Sequence, residues 1–329
     1  MTDVALEAGV SQTTVSLVLN EVAEARLSPE TRRRVIAVAA RLKYRLSHRN
    51  PRLPLPAQST TIGFVVDEIS TDPWMALALD GARERAWDSG LTVSVAVTRG
   101  DAAIERVMME KMLAGPLIGL IYGKIHTVEI AADRLLFTKP TVLLNCYLSD
   151  RSLPSVVPAE VAGGRAATER LVRAGHRRIA YINGEPWMDA SRDRLKGYRQ
   201  ALTAADLPFA PELVRDGNWE PSAGYLLTRE LMTLPKPPTA IFCANDLMAI
   251  GCYDALRELG LAIPSDVAVV GYDDREMSRY MRPPLTTVVL PHFEMGSTAV
   301  DTLIDFAVRP SKWPPQIKEE GPLVERQSV

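Results

Sequence analysis

The chain has 329 residues, 47% of them apolar and 24% charged, with 24 prolines, 20 glycines and three cysteines. This ordinary globular balance excludes a disordered, collagen-like or disulfide-stapled chain, and the length suits two domains with a small third. The net charge of −2 conceals an asymmetry: residues 1–50 carry +3 and the remainder −5, so a small basic unit suited to a polyanion precedes an acidic body.

Acidic Asp3 and Glu7 stand where a secretory signal would carry positive charge. No run approaches the ~18 apolar residues of a membrane span. Cys146, Cys243 and Cys252 lie inside apolar runs without metal-ligand spacing, as reduced thiols do. A cytoplasmic protein without a membrane partner, cofactor or metal is expected.

In chain order, Val4, Ala5 and Ala8 recur at helical spacing until Gly9 ends the run. Ser11 can cap a second helix striped by Val15, Val18 and Leu19. Ser28-Pro29 reads as a cap followed by proline at the first helical position, and Val35, Val38, Ala39 and Leu42 stripe a third helix. Three short helices with a glycine turn between the first two describe a helix-turn-helix unit. Ser11, Gln12, Thr13, Thr14 and Ser16 open the second helix with uncharged hydrogen-bonding groups, which suits base edges and phosphates in a major groove. A hydroxyl-rich exposed helix in any small bundle has the same composition.

The segments Asp3-Val4-Ala5, Ala8-Gly9-Val10-Ser11, Thr14-Val15-Ser16 and Leu19-Asn20 closely resemble the headpiece of the lactose-repressor family of bacterial regulators. Ser28, Glu30, Thr31, Val35 and Leu42-Lys43-Tyr44 continue the likeness. It implies Gln12 and Thr13 as major-groove readers and Thr14, Ser16 and Asn20 near phosphate, with Ser11 and Tyr44 in the same DNA-contacting set. Leu17 stands where some members carry an arginine reader, so base preference does not transfer. Members also carry residues ahead of the matching first segment, including a capping threonine, and this departure is expected to weaken operator affinity. In the linker, residues 45–61, Leu53 matches a leucine that wedges the minor groove in the family. Pro54 directly behind it disfavours helical geometry there.

From Ile62 onward apolar runs alternate with amphipathic stretches. Strands are predicted at 62–66, 91–97, 117–122, 141–145, 178–183, 239–244 and 267–272, and helices at 74–89, 163–174, 195–205, 222–234 and 246–260. This rhythm means parallel sheets with right-handed crossovers, and its length means two lobes. Ligands in such folds sit beyond the strand carboxyl ends. Trp74, Asn145, Trp219, Asn245 and Asp273 follow strands, as do Trp187, Arg192 and Arg194 in a loop expected at 183–194. Carboxylates, amides and guanidinium groups beside flat rings suit a hydroxyl-rich ligand. Singly, each has a structural alternative: tryptophan as core, Asn or Asp as a helix cap, arginine as a surface ion-pair partner.

The body shares the family likeness through Gly175-His176-Arg177-Arg178, Arg194-Leu195-Lys196-Gly197-Tyr198, Ala244-Asn245-Asp246, Val269-Val270-Gly271-Tyr272-Asp273-Asp274 and Pro284-Leu285-Thr286-Thr287. The resemblance implies an α/β periplasmic-binding-protein-like body, doubly wound and crossed three times between lobes, behind the all-α headpiece. It places Arg194, Asn245 and Asp273 at ligand-contact positions, with Asn145, Trp219 and Trp74 beside them. Where many relatives carry an acidic pair, Ala159-Glu160 departs from it. The expected organisation is a headpiece at 1–44, a hinge at 45–61 and a body at 62–329. Lobe 1 is about 62–157 plus 287–315; lobe 2 is about 158–286 plus the tail.

No GxxxxGK[ST] loop, glycine-rich dinucleotide turn, HExxH spacing or GxSxG elbow is present, so no enzyme is expected. The reading is a repressor that binds near-palindromic operator DNA, with a sugar in the interlobe cleft altering its affinity. A nucleobase effector, or a sugar receptor with a non-functional headpiece, are the alternatives. A tail without a leucine heptad favours a homodimer.

Overall fold

The computed structural model describes Val4, Val15, Val18 and residues 7–10, 29–41, 60–70, 73–311 and 315–329. Residues 1–54 and 55–329 form two compact units. In the first, helix α1 (Pro29–Arg41) starts on proline, whose preset φ and missing donor suit a first turn. Val35, Val38 and Ala39 of α1 pack with Val4, Ala8, Val15 and Val18 into one apolar cluster; Ala5, Leu19 and Leu42 of the predicted stripes lie outside the described residues. Gly9 makes the turn after Ala8 at φ 63°, and Arg34 Nε donates to the Ala8 carbonyl at 2.9 Å.

The second unit opens with β1 (Thr61–Val66), α2 (Trp74–Asp88), β2 (Thr92–Val97), α3 (Ala102–Leu113), β3 (Leu117–Glu129), β4 (Thr141–Tyr147) and β5 (Ser155–Pro158). These strands pair in parallel in the order β5-β4-β3-β1-β2. Then come α4 (Glu160–Arg173), β6 (Ile179–Asn183), α5 (Asp189–Ala204), β7 (Val214–Asp216), α6 (Pro221–Met232), β8 (Ala240–Cys243), α7 (Asp246–Glu258), β9 (Ala268–Asp273) and β10 (Thr286–Val289). They build a second parallel sheet, ordered β10-β9-β8-β6-β7. Helix α8 (His292–Val308) returns to pack on the first lobe against α2, β3 and β4. Finally β11 (Gln316–Glu319) joins β5 in parallel, and β12 (Leu323–Val324) pairs antiparallel with β10. Central strands covered on both faces read as continuous apolar runs, and Phe64, Leu120, Leu143, Phe242 and Val269 are buried accordingly.

The chain therefore crosses between lobes after β5, β10 and β11. Residues 287–289, expected in lobe 1, extend the second sheet as part of β10, and residues 316–319, expected in lobe 2, edge the first sheet as β11. Backbone pairing with distant strands decides both placements, and neither short segment has a hydrophobic period long enough to show it. Helix α5 also begins at Asp189, so 189–194 is helical where a loop was expected. Helix α3 was not predicted: its apolar residues face two ways, with Met109 and Leu113 inward and Ile104, Val107 and Met108 outward, so no single stripe appears.

Three helix pairs cross at reciprocal glycines. A Cβ on Gly81 of α2 would lie 1.9 Å from the Phe293 carbonyl of α8, and one on Gly296 would lie 1.8 Å from the Ala78 carbonyl. Gly164 and Gly197 meet the Arg194 and Val161 carbonyls between α4 and α5 in the same way, and Gly224 and Gly251 meet those of Met248 and Pro221 between α6 and α7. Only a residue without Cβ admits such close backbones. The α4–α5 crossing is what brings Glu160 beneath Arg194. No helix among the described residues is long and apolar enough to cross a membrane.

Candidate functional site

A cleft of about 300 Å³ lies between the lobes, walled by segments that follow the carboxyl ends of strands in both sheets. At its centre is Arg194 on α5, only 3% exposed. Its Nε and Nη2 donate to the two carboxylate oxygens of Glu160 at 2.6 and 2.8 Å, and Nη1 donates to the Ala244 carbonyl. The guanidinium lies 3.6 Å from the centre of the Tyr272 ring. Burial opposes its charge, but Glu160 outweighs burial and holds the group above its ordinary pKa. A planar fork is thereby locked in one orientation, as recognition of directed oxygens requires.

Asp273 closes β9 beside it, with Oδ1 3.7 Å from Arg194 Nη1 and Oδ2 3.7 Å from Arg275 Nε. Burial pushes this carboxyl up, while Arg194 pulls against it. Asp273 has φ 111°, Asn145 φ 55° and Trp219 φ 68°. Three of the seven described non-glycine residues with positive φ thus lie on this cleft, the clustering expected where backbone strain positions a site.

The two asparagines hold the walls. Asn245 caps α7, accepting from Met248 N at 2.8 Å, and donates to the Trp219 carbonyl at 2.9 Å. Asn145 donates to the Lys124 and Ile125 carbonyls, both at 3.0 Å, and accepts from Thr127 Oγ1 at 2.5 Å. Trp219 lies against Gly184, where a Cβ would fall 1.9 Å from its ring, and its Nε1 donates to Met188 Sδ at 3.0 Å. Across the lobes, Arg275 sits 5.0 Å over the Trp74 ring, and Tyr147 Oη donates to Asp189 Oδ2 at 2.7 Å.

At the second crossover His292 is 2% exposed and lines the cleft, with its ring 5.8 Å from that of Trp74. Neither ring nitrogen has a hydrogen-bond partner among the described residues. Burial, reinforced by Arg194, pushes its pKa down to about 3 from 6.5. Below pH 6.5 the unfolded chain therefore takes up a proton that the folded one refuses until about pH 3. Stability is full above this window and falls with pH inside it. Between pH 6.5 and about 5, the extra loss in urea melts of the native protein over His292→Gln should steepen from about 0.7 toward about 1.4 kcal/mol per pH unit. Equal losses would show that His292 protonates freely in the fold.

Residues 1–47 match the family described as bacterial regulatory proteins, lacI family, and residues 168–329 match the periplasmic binding protein-like domain. The chain is 33% identical over 331 residues to the ribose operon repressor of Escherichia coli strain K12, covering 100% of this chain and 99% of that protein. The chain belongs to the lacI family. It is 31% identical over 305 residues to the HTH-type transcriptional repressor PurR of Haemophilus influenzae strain PittEE, covering 92% and 89%. Its fold matches the lac repressor dimer bound to operator and the anti-inducer ONPF at TM-score 0.69 and 31% identity, covering 99% and 97%. This lacI-family protein is accordingly a ligand-responsive, DNA-binding transcriptional repressor and not an enzyme.

Within the lacI-family body, Trp74, Asn145, Arg194, Trp219, Asn245 and Asp273 come together on the cleft, with Trp187 at its edge and 65% exposed. Arg192 does not join them. Two residues on a helix point about 200° apart, so Arg192 turns outward from Arg194, pairing with Asp189 and donating to the Trp187 carbonyl. Sequence reasoning missed Glu160, Arg275 and His292. The departure noted at Ala159-Glu160 was the available signal for the first; the other two gave none. Ser11, Gln12, Thr13, Thr14, Ser16, Asn20, Tyr44 and Leu53 lie outside the described residues.

Proposed function

We propose that the effector of this lacI-family repressor is a sugar held in the interlobe cleft, and that its binding resets operator affinity through the linker at 45–61. The observation that carries this reading is the Glu160–Arg194–Asp273 group, a fixed array of directed donors and acceptors suited to hydroxyls. The rings weigh against a stacked base. Trp74 already has Arg275 over it and His292 beside it, while Trp219 is pressed on Gly184 with Arg194 5.6 Å away. The ribose operon repressor among the relatives is consistent with a sugar.

In this reading Gln12 and Thr13 read the major groove of a near-palindromic operator, with Ser11, Thr14, Ser16, Asn20 and Tyr44 along the backbone and Leu53 at the minor groove. The effector can shift operator binding only by its differential affinity for the two lobe arrangements, typically about 1–3 kcal/mol or roughly 5–150-fold. Gel shifts on fragments upstream of the gene, run with monosaccharides, disaccharides and nucleobases, test it. A salt-sensitive complex moved by a sugar and lost in Gln12→Ala is expected. A response to nucleobases alone overturns the sugar, and no specific complex at all returns the receptor without DNA binding.

Two copies make the near-palindrome readable. The edge strand β2 with Val95, and the outward stripe Ile104, Val107 and Met108 of α3, offer an apolar face for the second copy. Sedimentation of the full chain should give a dimer and Met108→Asp a monomer; a native monomer would refute the pairing.

A further inference from the structure

We propose that His292 is an effector-contact residue, its neutral ring donating to and accepting from a hydroxyl of an uncharged sugar, and that the cleft rejects phosphorylated or carboxylated forms of that sugar. This rests on the sugar reading above and adds the residue and the charge class.

His292 opens α8 at the second crossover, on the floor where the lobes meet. Arg194 is engaged by Glu160 and Ala244, Asn245 by Met248 and Trp219, and Asp273 stands between Arg194 and Arg275. The imidazole alone has two partnerless nitrogens, although it is nine-tenths buried and lines the cleft. A buried polar group without a partner is costly and is kept where something outside the chain satisfies it. Apolar packing alone would be better served by Phe or Leu at this position.

The ring's surroundings keep it neutral: it is buried, and the positive Arg194 also disfavours its protonation. A neutral imidazole presents one donor and one acceptor, and a hydroxyl is the group that answers both. A phosphate or carboxylate offers acceptors only and would leave the ring's acceptor nitrogen unanswered. The cleft as a whole points the same way. Four carboxylates line it, Glu160, Glu185, Glu220 and Asp273, against the guanidinium groups of Arg194 and Arg275. Glu160 already occupies two donors of Arg194. An added anion meets excess negative charge in a partly desolvated space.

The test is calorimetry on the full chain with D-ribose, D-glucose and cellobiose, alongside ribose 5-phosphate, glucose 6-phosphate and adenine, for the native protein, His292→Gln and His292→Phe. Binding of at least one free sugar is expected, with its phosphate ester at least tenfold weaker. His292→Phe should weaken the free sugar about tenfold to a hundredfold, while His292→Gln, which keeps a donor and an acceptor, stays within a few-fold of native. Without sugar, His292→Phe should melt no lower than native, because a partnerless polar ring has been removed. A lower midpoint with unchanged sugar affinity would make His292 a packing residue and overturn the proposal. A sugar phosphate that binds more tightly than its free sugar overturns the charge class. Heat from adenine alone overturns the sugar reading itself, whereas sugar binding indifferent to His292→Phe overturns only this inference. Ring-nitrogen NMR of the native protein needs no variant to fold: the chain has four histidines, and the His292 signals must move on sugar addition.

Discussion

Glu160→Ala should lower stability by about 3–5 kcal/mol, the usual consequence of leaving a buried charge without its partner. Arg194 and Glu160 are 3% and 5% exposed at their side chains, and the pair shares two hydrogen bonds. With the carboxylate gone, the guanidinium keeps the Ala244 carbonyl, the Tyr272 face and an Asp273 oxygen 3.7 Å away, which do not replace two short charge-assisted bonds. For a body of this size the midpoint in scanning calorimetry should fall by on the order of 10 °C. The double variant Glu160→Met, Arg194→Met separates charge from packing. Removing both ions should recover most of the lost stability, because well-packed apolar side chains can equal a buried ion pair. It should still fail to bind effector. A single variant that melts like the native protein would mean that water or a shifted side chain already compensates Arg194, and the locked fork would not exist.

Asp273→Asn should leave the fold intact and weaken effector response. Asparagine tolerates positive φ better than most residues, so the backbone at φ 111° is retained where alanine would add strain. The change replaces an acceptor-only carboxylate, set between Arg194 and Arg275, by an amide that turns a donor toward one of them. Loss of a charge-assisted hydrogen bond of about 1.5–3 kcal/mol corresponds to roughly a tenfold to hundredfold loss of affinity. By linkage, the effector concentration that half-shifts operator affinity should rise by the same factor, while operator affinity without effector stays at the native value. Effector titrations in the gel-shift assay read both quantities. Unchanged effector sensitivity would remove Asp273 from the site.

Much of this architecture was legible from residue order. Of the predicted stripes, Val35, Val38 and Ala39 meet Val4, Ala8, Val15 and Val18 in one apolar cluster, while Ala5, Leu19 and Leu42 lie outside the described residues. The strand-then-helix rhythm placed Asn245 and Asp273 at strand ends, because a parallel sheet delivers those ends to one side, whereas Asn145 lies two residues inside the end of β4, which runs on to Tyr147. What the rhythm could not show was which job each side chain takes there. Asn245 and Asn145 spend their amides on neighbouring loops, and the capping alternative weighed for Asn245 coexists with its place on the cleft. Arg192 and Arg194 looked equivalent while 189–194 was read as a loop. Once that stretch is helical, their spacing sends them to opposite faces.

Periodicity and strand-end position are properties of contiguous segments, so the amino-acid order alone determined the headpiece core, the two parallel sheets and the neighbourhood of the site. Partnership is a property of topology. Glu160 meets Arg194 across 34 positions because α4 and α5 cross at Gly164 and Gly197, and His292 reaches the cleft floor because the chain recrosses after β10. The tertiary structure therefore decided which charges are matched and which polar ring is left unmatched. Both follow from burial, which removes water as the default partner and makes each remaining contact count.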